Sequence, residues 1–465
     1  MSVETKKKRG LCPWGMLALI AVWGLQSGFS GLRDAAPLLV CLALIYFLIS
    51  FASTSFALGL VAIAMIFSPE ISLGGFSMRR AFTLRIEDFL IPIMLLAWMA
   101  RSAVQKKRSF FLKTPLNQPL LALVLFSFVS SAVGVTRGTV DLMPAFFYQA
   151  KIIEYLVLFY VVLNFIETEK QVRLFLFFTL LTVAFLAFYT LIQVPRAEMY
   201  SIHRITTPFE DRPQPATAGG YLAFSFLLVF CIMLHQKSGF RRIIFFILSV
   251  MVLVPLLYTF SRTAYISLAG GLLLLAFVNK NKWVRFLILG GIAVCPIILP
   301  ASVKDRIAYT WEDGKHADRA YGVDQSSGER VNAFRRSWNA VKQNPILGLG
   351  IASWEYPDSQ YARTLHELSF IGLGLWLWVF LRLFKISRWL YAASPTGTLK
   401  GLALGYCAGV IGILFHCTGS CTLYIVRIME PFWFVSGLIV ALYNIRVSPG
   451  SWHPPAAVAA EGASS

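Results

Sequence analysis

Apolar runs long enough to cross a bilayer recur along almost the whole chain, and they constrain its fold more than any other feature. Each run has about 20 residues, the length that a helix needs to span the hydrocarbon core. Of the 465 residues, 57% are hydrophobic and 14% are charged. The runs are continuous and do not alternate, which excludes a transmembrane β-barrel. The sequence therefore predicts an all-α polytopic membrane protein.

The pattern predicts about 12–14 transmembrane helices. Their ranges are 14–31, 36–52, 54–69, 87–103, 117–134, 146–166, 172–194, 217–235, 243–260, 263–279, 284–300, 366–384, 401–418 and 423–444. Lys and Arg cluster in the connections 6–9, 106–113, 167–173, 237–242, 280–285 and 385–388, and the positive-inside rule assigns these to the cytoplasm. Both termini are then cytoplasmic. Membrane topology accounts for most of the net charge of +19, so no nucleic-acid partner is expected.

The chain divides into a basic cytoplasmic N-terminus (1–13), transmembrane helices (14–300), one large periplasmic loop (301–365), further transmembrane helices (366–444) and a disordered cytoplasmic tail (445–465). The loop is far longer than a usual connection, and its aromatic residues indicate order. Val331, Phe334, Trp338 and Val341 recur at helical spacing. A helix at 331–341 is therefore predicted to lie on the membrane surface and cap a cavity.

The predicted outer segments are rich in arginine, contrary to the positive-inside rule. The residues are Arg79, Arg80, Arg85, Arg137, Arg196, Arg204, Arg212, Arg262, Arg306, Arg319, Arg330, Arg335, Arg336 and Arg363. A guanidinium group matches phosphate oxygens bidentately. Three are the strongest anion-binding candidates: Arg262 lies in a short turn between spans, Arg204 precedes a proline-rich segment, and Arg330 opens the predicted surface helix, whose free N–H groups also attract anions.

Candidates for a general base on the same side are Asp358, His366 and Glu367, since a carboxylate or neutral imidazole is required. Lys151 and Glu154 lie three residues apart within a span, where charge indicates function or a structural ion pair, and both interpretations stay open. No P-loop, Rossmann fingerprint or zinc spacing is present. The seven cysteines also lack metal-ligand spacing, although a metal site assembled from distant segments stays open.

Several short motifs follow one another in a recognisable order. Thr-Phe-Ser-Arg-Thr-Ala-Tyr occupies 259–265, Ser-Ser-Gly-Glu-Arg 326–330, Asn-Pro-Ile-Leu-Gly-Leu-Gly 344–350, Asp-Ser-Gln-Tyr 358–361 and Ser-Phe-Ile-Gly 369–372. Phe-Ser-Pro-Glu at 67–70, Leu-Arg-Ile-Glu-Asp at 84–88 and the segment from Arg204 to Phe209 precede them. In this order and topology the chain resembles the O-antigen ligase/polymerase superfamily of bacterial envelope glycosyltransferases.

The resemblance implies a fold of the lipid-linked-sugar glycosyltransferase (GT-C-like) class in the bacterial inner membrane, with its site facing the periplasm. The donor would be an oligosaccharide on undecaprenyl pyrophosphate, transferred to a sugar hydroxyl without nucleotide sugar, metal or other cofactor. Arg204, Arg262 and Arg330 would bind the pyrophosphate. Supporting roles are assigned to Arg85, Lys151, Glu154, Tyr361 and Arg363. Expected partners are this lipid-linked donor, membrane lipids and other polysaccharide-assembly proteins.

One departure favours a polymerase of O-antigen or exopolysaccharide units. Ligases of the family carry a histidine where this chain has Asp358, and His366 lies eight residues later, about two helical turns away. The alternatives are an O-antigen ligase that transfers the glycan to lipid A core and, from another class, a small-anion transporter. The absence of an internal repeat and the one-sided polar loop favour transferase over transporter.

Overall fold

The computed structural model describes residues 32–69, 71–77, 80–104, 112–197, 204–210, 214–278, 282–298, 300–308, 317–318, 323–353 and 359–447. Most of these residues are α-helical. The helices are α1 (Leu32–Ala52), α2 (Thr54–Phe67), α3 (Glu87–Val104), α4 (Asn117–Thr136), α5 (Leu142–Phe165), α6 (Glu169–Gln193), α7 (Pro215–Leu234), α8 (Gly239–Tyr258), α9 (Arg262–Val278), α10 (Lys282–Ile298), α11 (Ala301–Ala308), α12 (Gln325–Gln343), α13 (Gln360–Ala393), α14 (Thr398–His416) and α15 (Val426–Val447). Two short 3₁₀ helices, Val194–Arg196 and Thr422–Tyr424, complete the helical structure of this part of the chain.

The prediction of an all-α polytopic membrane protein is confirmed. Eight of the described helices are long and apolar enough to cross a membrane, and three shorter apolar helices accompany them. Each predicted span from 36–52 to 423–444 coincides with a helix, whereas the span predicted at 14–31 lies outside the described residues. Two small antiparallel hairpins were not predicted. They pair β1 (Ile71–Ser77) with β2 (Arg80–Leu84), and β3 (Ala317–Asp318) with β4 (Val323–Asp324).

Helices α7, α14 and α15 form the centre of the bundle. In α7 and α15, 83% of the spanning residues are buried, against 22% in the peripheral α8. Small residues allow α7 and α14 to approach closely, as is common where packing and not water drives helix association. A methyl group on Gly401 of α14 would lie 2.5 Å from the Cα atom of Ile232, and one on Gly405 would lie 2.8 Å from that of Leu228. Larger residues at these positions would separate the two helices.

The connections predicted to be outside and those predicted to be inside lie at opposite ends of the helical bundle. At one end, which we call the loop end, Ser68 contacts Glu87 and Arg427 forms an ion pair with Glu210. At the opposite end, the guanidinium of Arg446 lies 2.8 Å from the Glu169 carboxylate. This alternation is the one that the basic connections predict.

Helix α13 is longer than the predicted span 366–384, and it is broken at Ser369, where φ is +57°. At the break, the carbonyl groups of His366 and Glu367 accept hydrogen bonds from outside the helix. The donors are the backbone N–H groups of Leu349, at 3.1 Å, and Gly350, at 2.9 Å. Carbonyl groups at a helix break need such partners, because buried backbone groups are costly to leave unpaired.

These donors belong to residues 344–350, the Asn-Pro-Ile-Leu-Gly-Leu-Gly segment, which we call the strap. Helix α4 and the turn after it hold the strap from the other side. The Ser130 hydroxyl donates to the Leu347 carbonyl at 2.6 Å, and the Thr139 hydroxyl donates to the Leu349 carbonyl at 2.8 Å. The strap therefore connects α4 to the broken start of α13.

Gly348 tests the role of the strap. Its φ is +73°, and a methyl group there would lie 2.5 Å from the Glu367 carbonyl oxygen. We expect Gly348→Ala to lower the free energy of unfolding by at least about 2 kcal/mol, since a left-handed backbone and a clash must both be accommodated. Gly374→Ala in α13 is the control, because a methyl group there meets nothing within 4 Å. Thermal unfolding in detergent compares the variants, and equal midpoints would contradict this role.

Candidate functional site

The predicted anion-binding turn between α8 and α9 is compact and buried. Phe260 adopts a left-handed backbone with φ +53° and is 1% exposed. The Ser261 N–H donates to the Thr259 hydroxyl at 3.3 Å, and the hydroxyls of Ser261 and Thr263 lie 3.0 Å apart. The turn therefore fixes the backbone from which Arg262 projects as the first residue of α9.

The other predicted anion-binding arginines lie around this same turn. Arg204 and Arg306 are both close enough to the Tyr265 hydroxyl to act on it electrostatically. Arg306 also donates from Nε to the Phe260 carbonyl at 3.3 Å. Arg330 approaches from α12, and a methyl group on Gly419 would lie 3.1 Å from its Nε and 2.5 Å from Thr263 Cγ2. The structure thus brings Arg204, Arg262 and Arg330 together around the turn. Arg306, which was not among the three strongest candidates, lies there as well. We call this group of four residues the arginine region.

A buried ion pair positions the segment that carries Arg204. Glu210 accepts a hydrogen bond from the Thr207 hydroxyl at 2.6 Å, and its carboxylate lies 3.7 Å from Nε of Arg427. The Arg427 side chain is fully buried and also donates to the carbonyl groups of Ile66 and Ser68. Arg427 of α15 therefore has a carboxylate partner, Glu210, from a distant segment of the chain.

A helix covers the predicted segment 331–341, although one detail of the prediction is wrong. The helix begins at Gln325, so Arg330 lies in its second turn and does not open it. Of the predicted apolar stripe, Val331, Phe334 and Trp338 are 41–51% exposed, whereas Val341 is buried. The buried side of α12 also includes Ala333, Ser337 and Ala340. The Ser337 hydroxyl donates to the Ala362 carbonyl at 2.7 Å, which attaches this side to α13.

Glu367, one candidate base, is held in a buried network. Its carboxylate accepts hydrogen bonds from the Ala352 N–H at 2.9 Å, Arg363 Nε at 2.9 Å and the Tyr424 hydroxyl at 3.0 Å. The Arg363 guanidinium also stacks on the rings of Tyr148 and Tyr424. Burial and the Glu367 carboxylate hold the pKa of Tyr424 well above its usual range, so its phenol remains a donor. This arrangement favours a structural role for Glu367 and Arg363.

The remaining candidates from the 358–367 region occupy different positions. Asp358 lies outside the described residues. His366 is half-buried, and the Arg336 guanidinium on α12 acts on its ring. The Tyr361 hydroxyl donates to the Leu414 carbonyl at 2.7 Å, so Tyr361 attaches α13 to α14. His366 therefore lies close to α12.

The predicted Lys151–Glu154 ion pair exists and belongs to a larger cluster. Lys151 Nζ lies 2.9 Å from Glu154 Oε2 and also contacts Asp88 Oδ1. The Arg85 N–H donates to Asp88 Oδ2 at 2.9 Å, and the Arg85 guanidinium lies 3.9 Å from Glu87. Arg85, Lys151 and Glu154 are therefore grouped with one another at the start of α3.

Glu430 completes this cluster from α15. One carboxylate oxygen from each of Asp88, Glu154 and Glu430 lies within 4.8 Å of the other two. The sequence did not predict this grouping, because the three carboxylates come from distant segments. The available signal was that Glu154 and Glu430 are both acidic residues within predicted spans.

Part of the chain is similar to a known protein family. A family model described as O-antigen ligase matches residues 252–368. This match supports the resemblance of the chain to the O-antigen ligase/polymerase superfamily. The matched residues include the 259–265 turn, Arg330, the strap, His366 and Glu367, whereas Arg204 and the Asp88–Glu154–Glu430 cluster lie outside them. No curated protein sequence matches the chain.

Members of this superfamily are glycosyltransferase-like enzymes, and the helices make this chain a multi-pass membrane protein. Four of the motifs that carried the resemblance fall into two structural groups. The 259–265 turn and Arg330 contribute to the arginine region. The strap and Ser369 form the break in α13.

The Glu367 network gives a prediction that separates structure from catalysis. Glu367→Ala would leave the buried Arg363 guanidinium without its carboxylate, and breaking a buried pair in this way costs about 3–5 kcal/mol. We expect a correspondingly large loss of thermal stability of the purified protein in detergent. His366→Asn is the control, because its half-buried ring lies outside this carboxylate network, and its unfolding midpoint should stay near that of the unmodified protein. A Glu367→Ala variant of unchanged stability would contradict the structural role.

Proposed function

We propose that the protein is a polymerase of undecaprenyl-pyrophosphate-linked oligosaccharide repeat units, of O-antigen or exopolysaccharide type. The match to this family supports transfer of a lipid-linked glycan. The loop end would face the periplasm of the bacterial inner membrane, with both termini in the cytoplasm. Basic residues near the opposite end, such as Lys170, Lys237 and Arg388, support this orientation. Membrane lipids and other polysaccharide-assembly proteins are the expected partners.

The gathering of Arg204, Arg262 and Arg330 around the buried turn is the observation that carries the proposal. Charge develops on the departing pyrophosphate as its bond to the sugar breaks. Guanidinium groups held in advance stabilise that charge most effectively in a site with little water. Their planar donors also match phosphate oxygens. In this proposal these arginines, and not a metal ion, neutralise the leaving group.

The transfer itself is a displacement at the anomeric carbon. The acceptor hydroxyl oxygen forms a bond to this carbon, and the bond from the carbon to the pyrophosphate oxygen breaks. Undecaprenyl pyrophosphate leaves with the electron pair, and the hydroxyl proton passes to a base. We propose Asp358 or His366 as this base and assign Glu367 a supporting role, since its carboxylate already accepts hydrogen bonds from three donors.

Polymerase is preferred to ligase because Asp358 occupies the position at which the family's ligases carry a histidine. A ligase that transfers the glycan to lipid A core remains the alternative within this class. A small-anion transporter is the alternative from another class, and the intramembrane charges of Lys151, Glu154 and Glu430 favour it. The arginines at a single end favour the transferase over the transporter, which requires access from both sides.

The pyrophosphate role predicts the effect of removing single arginines. Arg262→Ala and Arg330→Ala should each reduce polymer formation by roughly 10²–10³-fold, as expected for loss of one preorganised donor to a developing oxyanion. Both proteins should remain inserted and folded, because both side chains are only partly buried. Surface glycans from a complemented deletion strain, resolved on gels, provide the measurement.

Arg335→Ala is the matched control for this experiment, since Arg335 is an exposed residue of the same helix as Arg330. It should leave the glycans unchanged. Gly419→Ala tests the geometry without removing charge, because its methyl group would lie 2.5 Å from Thr263 Cγ2 and 3.1 Å from Arg330 Nε and would shift both side chains. It should reduce polymer formation to an intermediate degree. Normal polysaccharide in both the Arg262→Ala and the Arg330→Ala strains would contradict the proposal that these arginines bind the pyrophosphate.

Deletion of the gene separates the alternatives. A polymerase predicts loss of long polysaccharide, with single repeat units remaining on lipid A core or on undecaprenyl pyrophosphate. Full-length polymer stranded on the lipid carrier, together with bare core, would indicate a ligase. Unchanged glycans would favour the transporter. Gel analysis of surface glycans and of the lipid-linked pool distinguishes these three results.

A further inference from the structure

The Asp88–Glu154–Glu430 cluster has an excess of negative charge within the bundle. Lys151 supplies one positive charge to these three carboxylates. The neighbouring charges balance one another, because Arg85 faces Glu87 and Arg427 faces Glu210. Two negative charges of the cluster are thus left without a counter-charge among the described residues. Burial makes uncompensated charge costly, and either a further cation or a bound proton would relieve it.

The side chains around the cluster also present oxygen atoms with no protein donor. Glu430 is fully buried, and neither of its carboxylate oxygens has a hydrogen-bond partner among the described residues. Glu154 Oε1 is buried and unpaired in the same way. The Tyr155 hydroxyl, on a side chain that is 1% exposed, is likewise unpaired and lies close enough to Glu430 and Glu154 to interact with both. The cluster and its surroundings therefore contain carboxylate oxygens and a phenol oxygen without hydrogen-bond partners among the described residues.

The spacing of the carboxylates suits a hard divalent cation. Three oxygen atoms that lie within 4.8 Å of one another leave a point about 2.8 Å or less from all three. Calcium binds oxygen at about 2.3–2.6 Å in flexible geometry, whereas magnesium requires about 2.0–2.1 Å and near-ideal octahedral geometry. Calcium therefore fits with a smaller movement of the side chains.

A groove connects the cluster with the outside of the bundle. It has a volume of about 630 Å³ and is lined by Asp88, Glu154, Gln149 and Ser131 among mostly apolar residues of α3, α4 and α5. The Gln149 carbonyl oxygen Oε1 is a further buried acceptor without a donor in the described structure. The groove thus offers an entry route and room for water molecules that complete a calcium coordination shell.

We propose that Asp88, Glu154 and Glu430 form a binding site for one divalent cation of calcium type, with the Tyr155 hydroxyl beside it. The ion would join α3, α5 and α15 at the loop end. It would balance the negative charge of the cluster that Lys151 does not neutralise. The proposed cation site uses helices other than those that flank the 259–265 turn. It does not depend on the proposed transfer reaction.

Equilibrium dialysis of the full-length protein in detergent, after treatment with EDTA, tests this site with CaCl₂ and MgCl₂ as the probes. We expect one Ca²⁺ per chain and binding of Mg²⁺ that is at least roughly tenfold weaker. Glu430→Gln and Glu154→Gln should each weaken Ca²⁺ binding by at least roughly tenfold, since each removes a charged ligand. Asp141→Asn is the matched control, because Asp141 is an exposed carboxylate at the start of the same helix as Glu154 and should not alter binding.

Lys151→Met should change the affinity for Ca²⁺ in the opposite direction. Loss of the ammonium group removes a positive charge next to the ion, so Ca²⁺ should bind more tightly than in the unmodified protein. Gel filtration verifies that each variant is folded. The proposal is overturned if no Ca²⁺ binds at millimolar concentration, or if Glu430→Gln and Glu154→Gln bind it as well as the control does. Absence of binding combined with a more stable Glu430→Gln variant would assign a proton to the cluster instead.

Discussion

The buried guanidinium of Arg427 is the contact on which the loop end depends. It joins the end of α2, through the Ile66 and Ser68 carbonyls, to the segment of Glu210. A charged group at this depth is tolerated only when hydrogen bonds and a carboxylate compensate it. Because the compensating groups come from separate segments, Arg427 fixes the position of Arg204 relative to the central helices. Loss of this contact would disturb the arginine region and the neighbouring carboxylate cluster together.

The loop end contains two structural features, the strap with the break in α13 and the arginines around the 259–265 turn. The strap and the break at Ser369 form a rigid hydrogen-bonded support that includes Glu367 and Arg363. The arginines around the 259–265 turn lie near Tyr265, Thr263 and Gly419. A preorganised anion site requires a fixed support, since its donors should not have to rearrange when charge develops. In the proposed reaction, some residues of the motifs would therefore contact the substrate and others would hold their neighbours in position.

Much of the fold was predictable, because hydropathy and helical length are local properties of a sequence. The grouping of Arg204, Arg262 and Arg330 also followed from topology alone. The position of Arg330 in α12 was predicted wrongly, because helix ends depend on contacts beyond the local sequence, and α12 begins at Gln325. Its residues Val331, Phe334 and Trp338 are exposed, and the small Ala333, Ser337 and Ala340 pack against the protein. The joining of Asp88, Glu154 and Glu430 was not predictable, because nothing in the local sequence specifies which of the spans pack together.

The central claim is that the arginines recognise a pyrophosphate group at the loop end. Binding of undecaprenyl pyrophosphate and undecaprenyl monophosphate to the purified protein in nanodiscs, measured by native mass spectrometry, tests it most directly. Because the two lipids share the same tail, their difference reports on the phosphate site alone. The account predicts a preference for the pyrophosphate of at least about tenfold, a free-energy difference of about 1.4 kcal/mol. Equal affinity for the two lipids would contradict it.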